Sequence, residues 1–262
     1  MILLSFDVEE FDVPDEFGFP IPFEQQIEIS RIGTIHILDC LLRHEVTATF
    51  FVTVQFANHA PEIVKRILKE GHEIGSHGYY HSQFSEEHLQ SSKLELEKIT
   101  GKPVKGYRMP RMMAVNEVAI RNAGYLYNTS LNPTWIPGRY NNFSKSRTFF
   151  LEHNVFQLPA SVTPLFRFPL FWISLHVLPM WLYLLLCQWT LRNDHYLNLY
   201  THPWEYVDLN AYTQFKLPFY MTKNSGQPLI NRLDQLIRRF KQKRIPFGRT
   251  DEFAVSNFNS TS

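Results

Sequence analysis

The chain has 262 residues, 44% apolar and 19% charged, with a formal net charge of +1. That is enough for one large core, and the near-neutral balance excludes a strong field that would recruit nucleic acid or an acidic surface by charge alone. Two cysteines, Cys40 and Cys187, cannot make a disulfide framework and lack a metal-type spacing, so reduced thiols in a cytosolic protein are expected.

The opening MILLSFDVEE has no basic stretch and too few apolar residues before its acids to read as a signal peptide. ILLSF (2–6) reads as a first strand, and residues 29–45 carry Ile32, Ile35, Leu38 and Leu42 at helical spacing with Ser30 as cap. TATFFVTV (47–54) is a buried strand, residues 60–72 a helix with Pro61 in its first turn, and EIGSH (73–77) a short strand. An amphipathic helix over 85–101 leads to VKGYR (104–108), a helix near 115–123 and YLYNTS (125–130). NVFQLPA (154–160) and YLNLYTH (196–202) read as later strands, and residues 229–244 as a last helix whose basic end is a solvated face. Repeated strand-then-helix units predict a mostly parallel sheet buried on both faces, and about seven strands favour a closed or nearly closed barrel. Residues 168–191 hold no Asp, Glu, Lys or Arg, but Pro169 and Pro179 interrupt them. A buried helix pair or a pocket wall is expected there, with interfacial membrane contact as the alternative and no transmembrane span.

Barrel chemistry sits on the loops after the C-terminal strand ends. Four polar groups fall at such places: Asp7 with Glu9, His77 and His81 in SHGYYH, Arg108 in YRMPR, and His202 in YTHPWEY. Each alone has an ordinary explanation as a solvated acid, a chance pair, a salt bridge or a structural histidine. Together they offer two imidazoles and a carboxylate for a divalent ion with open positions, a second carboxylate to take a proton, and a histidine to return one. Asp7 and Glu9 are two apart and share a strand face if the strand continues. Glu10 and Asp12 read as solvated or loop-capping acids.

In content and order these motifs resemble the polysaccharide deacetylase family (NodB-like, carbohydrate esterase family 4) over roughly residues 2–250, in wording closest to the branch linked to bacterial exopolysaccharide and lipopolysaccharide assembly. The resemblance implies an α/β fold, a distorted TIM-like (β/α)7 barrel forming a single catalytic domain over 1–262. It implies metal-dependent removal of an N-acetyl group from a sugar, in a polysaccharide or a lipid-linked saccharide. Asp7 would be the base, Arg108 its partner, His202 the general acid, and Glu9, His77 and His81 the metal ligands. Zn2+ is the expected ion, with Co2+, Ni2+ and Mn2+ as alternatives. Tyr80, Pro110, Arg111 and Trp204 are expected to meet substrate.

Two departures stand out. Asn128, in GYLYNTSLNP, stands where the family has an Asp that orients the general-acid histidine, so Asn128 is expected beside His202 with reduced or altered turnover. Asp194 or Asp251 could take that place instead. Arg111 stands where an aromatic is frequent and would make the rim more basic. Two other functions stay open: a small-amide hydrolase on the same metal site, with a pocket walled by Phe166, Phe171, Trp172, Trp181 and Trp189, and a glycan-binding homologue without turnover. A carbohydrate partner, a place at the inner face of the membrane and no nucleic acid are expected, and a homo-oligomer stays open.

Overall fold

The structure, a computed structural model, describes residues 1–258. Its strands are β1 Ile2–Val8, β2 Thr49–Val52, β3 Glu73–Ser76, β4 Gly106–Tyr107 and β5 Tyr127–Asn128. A hairpin of β6 Trp135–Ile136 and β7 Tyr140–Asn141 follows, then β8 Phe150–Glu152, β9 Val155–Gln157, β10 Leu197–Thr201 and β11 Phe247–Gly248. The sheet runs β10-β1-β2-β3-β4-β5-β9 with every neighbour parallel, β8 adds an antiparallel edge to β9, and β11 pairs with β1. The seven strands expected from sequence are β1 to β5, β9 and β10, all parallel to one another; β11, also parallel, is not among them. The hairpin and β8 lie in a polar, proline- and glycine-interrupted stretch without alternation.

Among the described residues no ladder joins β9 to β10. The gap is sealed by Asn198, whose backbone carbonyl accepts from the Ser161 N–H at 2.9 Å. Its side-chain amide donates to the carbonyls of Leu158 and Pro159 at 3.2 Å each. The sheet is thus a curled, incompletely laddered barrel.

The two-residue period of β1 divides its side chains. Ile2, Leu4, Phe6 and Val8 pack outward against the helices, while Leu3 joins Phe51, Tyr127, Phe156 and Phe253 inside the curl. Ser5 and Asp7 follow Leu3 on the inner face. The helices are α1 Val13–Glu16, α2 Phe23–Arg43, α3 Val54–His59, α4 Pro61–Lys69, α5 Glu87–Thr100 and α6 Glu117–Asn122. They continue as α7 Trp172–Val177, α8 Met180–Asp194, α9 Phe219–Thr222, α10 Gln227–Gln242 and α11 Thr250–Phe258. The apolar stretch 168–191 is the expected helix pair, α7 and α8, parted at Leu178–Pro179, and none of the described helices is long and apolar enough to cross a membrane. Two expectations are corrected. Ser30 is no cap: α2 starts at Phe23 behind Pro22, and Ser30 is buried inside it. Nor is α10 the last helix.

The last helix, α11, plugs the N-terminal end of the barrel with Phe253 and Ala254. Its first turn is tied to the sheet by Thr250 N–H donating to Thr49 Oγ1 at 2.8 Å and Asp251 N–H donating to Glu73 Oε2 at 2.9 Å. Burial, reinforced by Asp251, pushes the Glu73 carboxyl up to about 7. A folded-state pKa above the unfolded one makes this group stabilising below its unfolded pKa, a contribution lost as pH rises through the folded value. The melting temperature should therefore fall between about pH 4.5 and 7, and Glu73→Gln should flatten that slope.

Gly33 sets the other end. A Cβ there would sit 1.8 Å from the carbonyl oxygen of Pro203, so α2 lies directly against the turn that carries His202. Gly33→Ala should cost about 3 kcal/mol or more by overpacking and lower activity by moving that turn, as read by urea denaturation and turnover together.

Candidate active site

The end of β1 and the loops after β1, β3, β4 and β10 bring Asp7, Glu9, His77, His81, Arg108 and His202 to one end of the barrel. Glu9 Oε2 lies 2.9 Å from His77 Nε2 and 3.0 Å from His81 Nε2. The other ring nitrogens are both spent: His77 Nδ1 donates to the Arg108 carbonyl at 2.9 Å, and His81 Nδ1 to Asp12 Oδ1 at 2.7 Å. A carbonyl can only accept, so the His77 hydrogen is on Nδ1 and its Nε2 lone pair faces the carboxylate; the neutral tautomer of His81 is arranged alike. Lone pairs converging on an anionic oxygen repel unless a cation or a proton sits between them. The donor atoms of Glu9, His77 and His81 all lie within 4.8 Å of one another, and this set fits a divalent ion with its remaining positions open. Burial would raise the Glu9 carboxyl, but His81, His202 and the His77 bond outweigh it and hold it well below the usual range. Burial likewise opposes charge on His81, yet Glu9 and Asp12 push it up to about 10.

Asp12 is a correction. Expected as a solvated or loop-capping acid, it is buried, fixes the His81 ring, and also holds Ser82 and Arg111. An acid behind a metal-facing histidine is the usual way such rings are oriented, and that rule could have singled it out. Glu10 is buried as well and accepts from Thr53 Oγ1 at 2.6 Å.

Asp7 accepts from Arg108 Nη1 at 2.6 Å through Oδ1. The guanidinium is fully buried, lies over the rings of Phe51 at 4.3 Å and Tyr200 at 5.1 Å, and donates to Thr129. Oδ2 of Asp7 stays clear of Arg108 and faces His202 Nε2 at 3.9 Å.

His202 is held from its other side by Glu205, not by Asn128. Glu205 Oε1 accepts from His202 Nδ1 at 2.7 Å and from the His202 backbone N–H at 2.6 Å, both within the single 3₁₀ turn Pro203–Tyr206. Glu205 Oε2 meets His176 Nε2 at 2.8 Å, and His176 Nδ1 donates to the Lys223 carbonyl at 2.6 Å. Burial raises the Glu205 carboxyl, but His176 and His202 hold it below its ordinary value. Burial lowers His202, and Glu9, Glu205 and Asp7 raise it above its ordinary value on balance. Trp204 stacks on the imidazole at 5.0 Å, and Trp172 and Tyr200 meet it edge-on.

Asn128 sits elsewhere, in the wall of a neighbouring cleft, donating to Glu117 Oε1 at 3.0 Å and Gln157 Oε1 at 3.1 Å. Asp194 is paired with Arg147, and Asp251 with Arg249 and Lys105. The sequence does carry the signal for Glu205: an acid three residues after a His-Pro pair can fold back onto it in one tight turn. Of the residues expected at substrate, Arg111 lines the cavity and is ion-paired with Glu16 at 2.8 Å. Trp204 lines it too, with its Nε1–H donating to Glu9 Oε1 at 3.2 Å. Pro110 is buried behind the turn, and Tyr80 packs on Tyr79 and His88 away from the cavity. Of the expected aromatic wall, Phe171 and Trp172 line the cavity, while Trp181 stands exposed on the barrel flank.

The cavity over Asp7, Glu9, His81 and His202 measures about 100 Å³. It adjoins the cleft of about 570 Å³ that Asn128, Glu117 and Gln157 line, across Arg111, Met112, Arg139 and Tyr140. A second group able to hold a metal, Cys40, His44 and Asp234, lies on α2 and α10. There Asp234 is engaged by Arg238, and burial pushes the Cys40 thiol up to about 11.

Fold and site together define a curled (β/α) barrel with a metal-ready rim. Residues 29–127 match the family described as polysaccharide deacetylase. It is 32% identical over 133 residues, 47% of this chain and 50% of the relative, to the peptidoglycan-N-acetylmuramic acid deacetylase PdaA of Bacillus subtilis. It is 40% identical over 52 residues, 20% of this chain and 24% of the relative, to a chitooligosaccharide deacetylase of a Bradyrhizobium. The chain thus spans half or less of the length of these curated relatives. Among solved structures, the PuuE allantoinase superposes with a TM-score of 0.64 at 14% identity, covering 98% of this chain and 89% of that one. The probable polysaccharide deacetylase of Pseudomonas aeruginosa PAO1 superposes with a TM-score of 0.66, also at 14% identity, covering 98% and 90%. These likenesses show the fold, which serves both names.

Proposed function

We propose that this chain is a metal-dependent hydrolase that removes an N-acetyl group from a sugar of a polysaccharide or lipid-linked saccharide. The observation that carries it is the opposition of Asp7 Oδ2 and His202 Nε2, 3.9 Å apart, beside the Glu9–His77–His81 donor set. A divalent ion held by those three residues, Zn2+ first among the candidates, would polarise the acyl carbonyl and acidify water. Arg108 occupies one oxygen of Asp7 and leaves the other to take a proton from the attacking water. His202, its charged form favoured by Glu205, gives a proton from Nε2 to the leaving amine as the C–N bond breaks, so acetate and a free amino sugar result. The names of the relatives favour an N-acetylated sugar, and the small cavity with its roomy polar neighbour suits an acyl group with a saccharide behind it.

The test is acetate release from N-acetylated glycan oligomers and lipid-linked sugars. Release should be abolished by chelation and restored by Zn2+, and ammonia release from ureides with none of acetate would move the reading to a small-amide hydrolase.

A further inference from the structure

We infer that the lobe beside the barrel mouth, built from the segments 129–149 and 158–171, docks on an anionic lipid surface. These segments hold Arg139, Lys145 and Arg167, besides an Arg147 paired with Asp194, and no Asp or Glu, in a chain whose overall balance is only +1. They also present Trp135 at 59% exposure, Leu165 at 74% and Phe166 at 77%, a concentration of apolar surface that soluble proteins avoid unless it is used.

The two segments form one unit. Arg167 donates to the carbonyls of Pro133 at 3.1 Å and Lys145 at 2.8 Å, lies over the Phe143 ring at 5.4 Å, and accepts from Thr134 Oγ1 through its own carbonyl at 2.7 Å. Leu165 and Phe166 stand at the tip of the turn closed by the Arg167 N–H to Thr163 carbonyl bond at 3.1 Å. A sugar ring stacks on flat aromatic faces that line a groove, whereas aliphatic and phenyl groups at a turn tip, with cations behind them, suit acyl chains under anionic headgroups.

Beside Tyr220 and Met221, which line the active-site cavity, Phe219 is 72% exposed with the Lys223 ammonium 5.5 Å from its ring. Arg139 of the lobe lines the same cavity, so docking would bring its mouth near saccharides carried by the lipid. The deacetylase reading is deepened by this inference, but the surface stands on its own observations.

The experiment is co-sedimentation of the metal-loaded protein with vesicles of phosphatidylcholine containing about one-third phosphatidylglycerol. The protein should pellet with these and not with phosphatidylcholine alone, and about 0.5 M NaCl should release it. Leu165→Ser with Phe166→Ser should lower partitioning about tenfold with the turnover of soluble substrate unchanged, and adding Lys145→Glu should weaken partitioning further. Absence of binding to anionic vesicles, or equal binding by the double variant, overturns the proposal. So does a self-associated form that the double variant disperses without any vesicle binding. Failure to release acetate from any substrate would sink the catalytic reading and leave the partitioning result as it stands.

Discussion

Glu205→Gln should reduce kcat by about 10²–10⁴ while substrate affinity changes little, because the carboxylate acts on the proton donor rather than on the sugar. A Gln at this place can meet His202 Nδ1 with either its oxygen or its nitrogen, and it brings no charge to the imidazolium. The sign of the pH effect follows from the same bond. Burial pulls the His202 pKa down, while Glu9, Glu205 and Asp7 raise it; removing Glu205 lowers it, so the alkaline limb of the kcat profile should move to lower pH. Asn128→Asp, measured alongside, should not raise kcat. It would set a carboxylate where an amide now donates to Glu117 at 3.0 Å, and should cost about 1–3 kcal/mol of stability in a urea melt. A gain in turnover from that change would return Asn128 to the catalytic machinery.

Asp7→Asn should reduce kcat by about 10²–10⁴ through loss of the base, and lower stability by about 3 kcal/mol by leaving a buried guanidinium without its counter-charge. The effects separate in a double variant. Asp7→Asn with Arg108→Met removes both charges, so stability should largely return while activity does not. If the single change left stability untouched, the Asp7–Arg108 bond of 2.6 Å would not be the buried ion pair described here.

The parallel strands were legible because a strand buried on both faces reads as an unbroken apolar run, and because helical spacing between such runs leaves few topologies. The residues gathered at the rim were legible for a related reason: barrel strands end where their polar residues begin. The hairpin of β6 and β7 escaped because two-residue strands carry no period. Asp12 and Glu205 escaped for a different reason. Each acts by reaching back to a histidine's second nitrogen; the acids able to do so stand in the sequence, but which way each side chain turns is settled only by the fold. The reading of Asn128 placed the orienting group on β5, whereas the chain supplies it three residues beyond the histidine itself.

Under the proposed mechanism the segment His202–Glu205 packages the proton donor and its orienting acid in one short piece of chain, seated by Gly33 against α2. A catalytic pair assembled from two distant loops constrains both; here one tetrapeptide carries the whole constraint. Asn128 and Gln157 take no part in orienting that donor, so the cleft wall they form can vary with the glycan while the His202–Glu205 pair stays as it is. Substrate range and the orientation of the proton donor would then be separately adjustable.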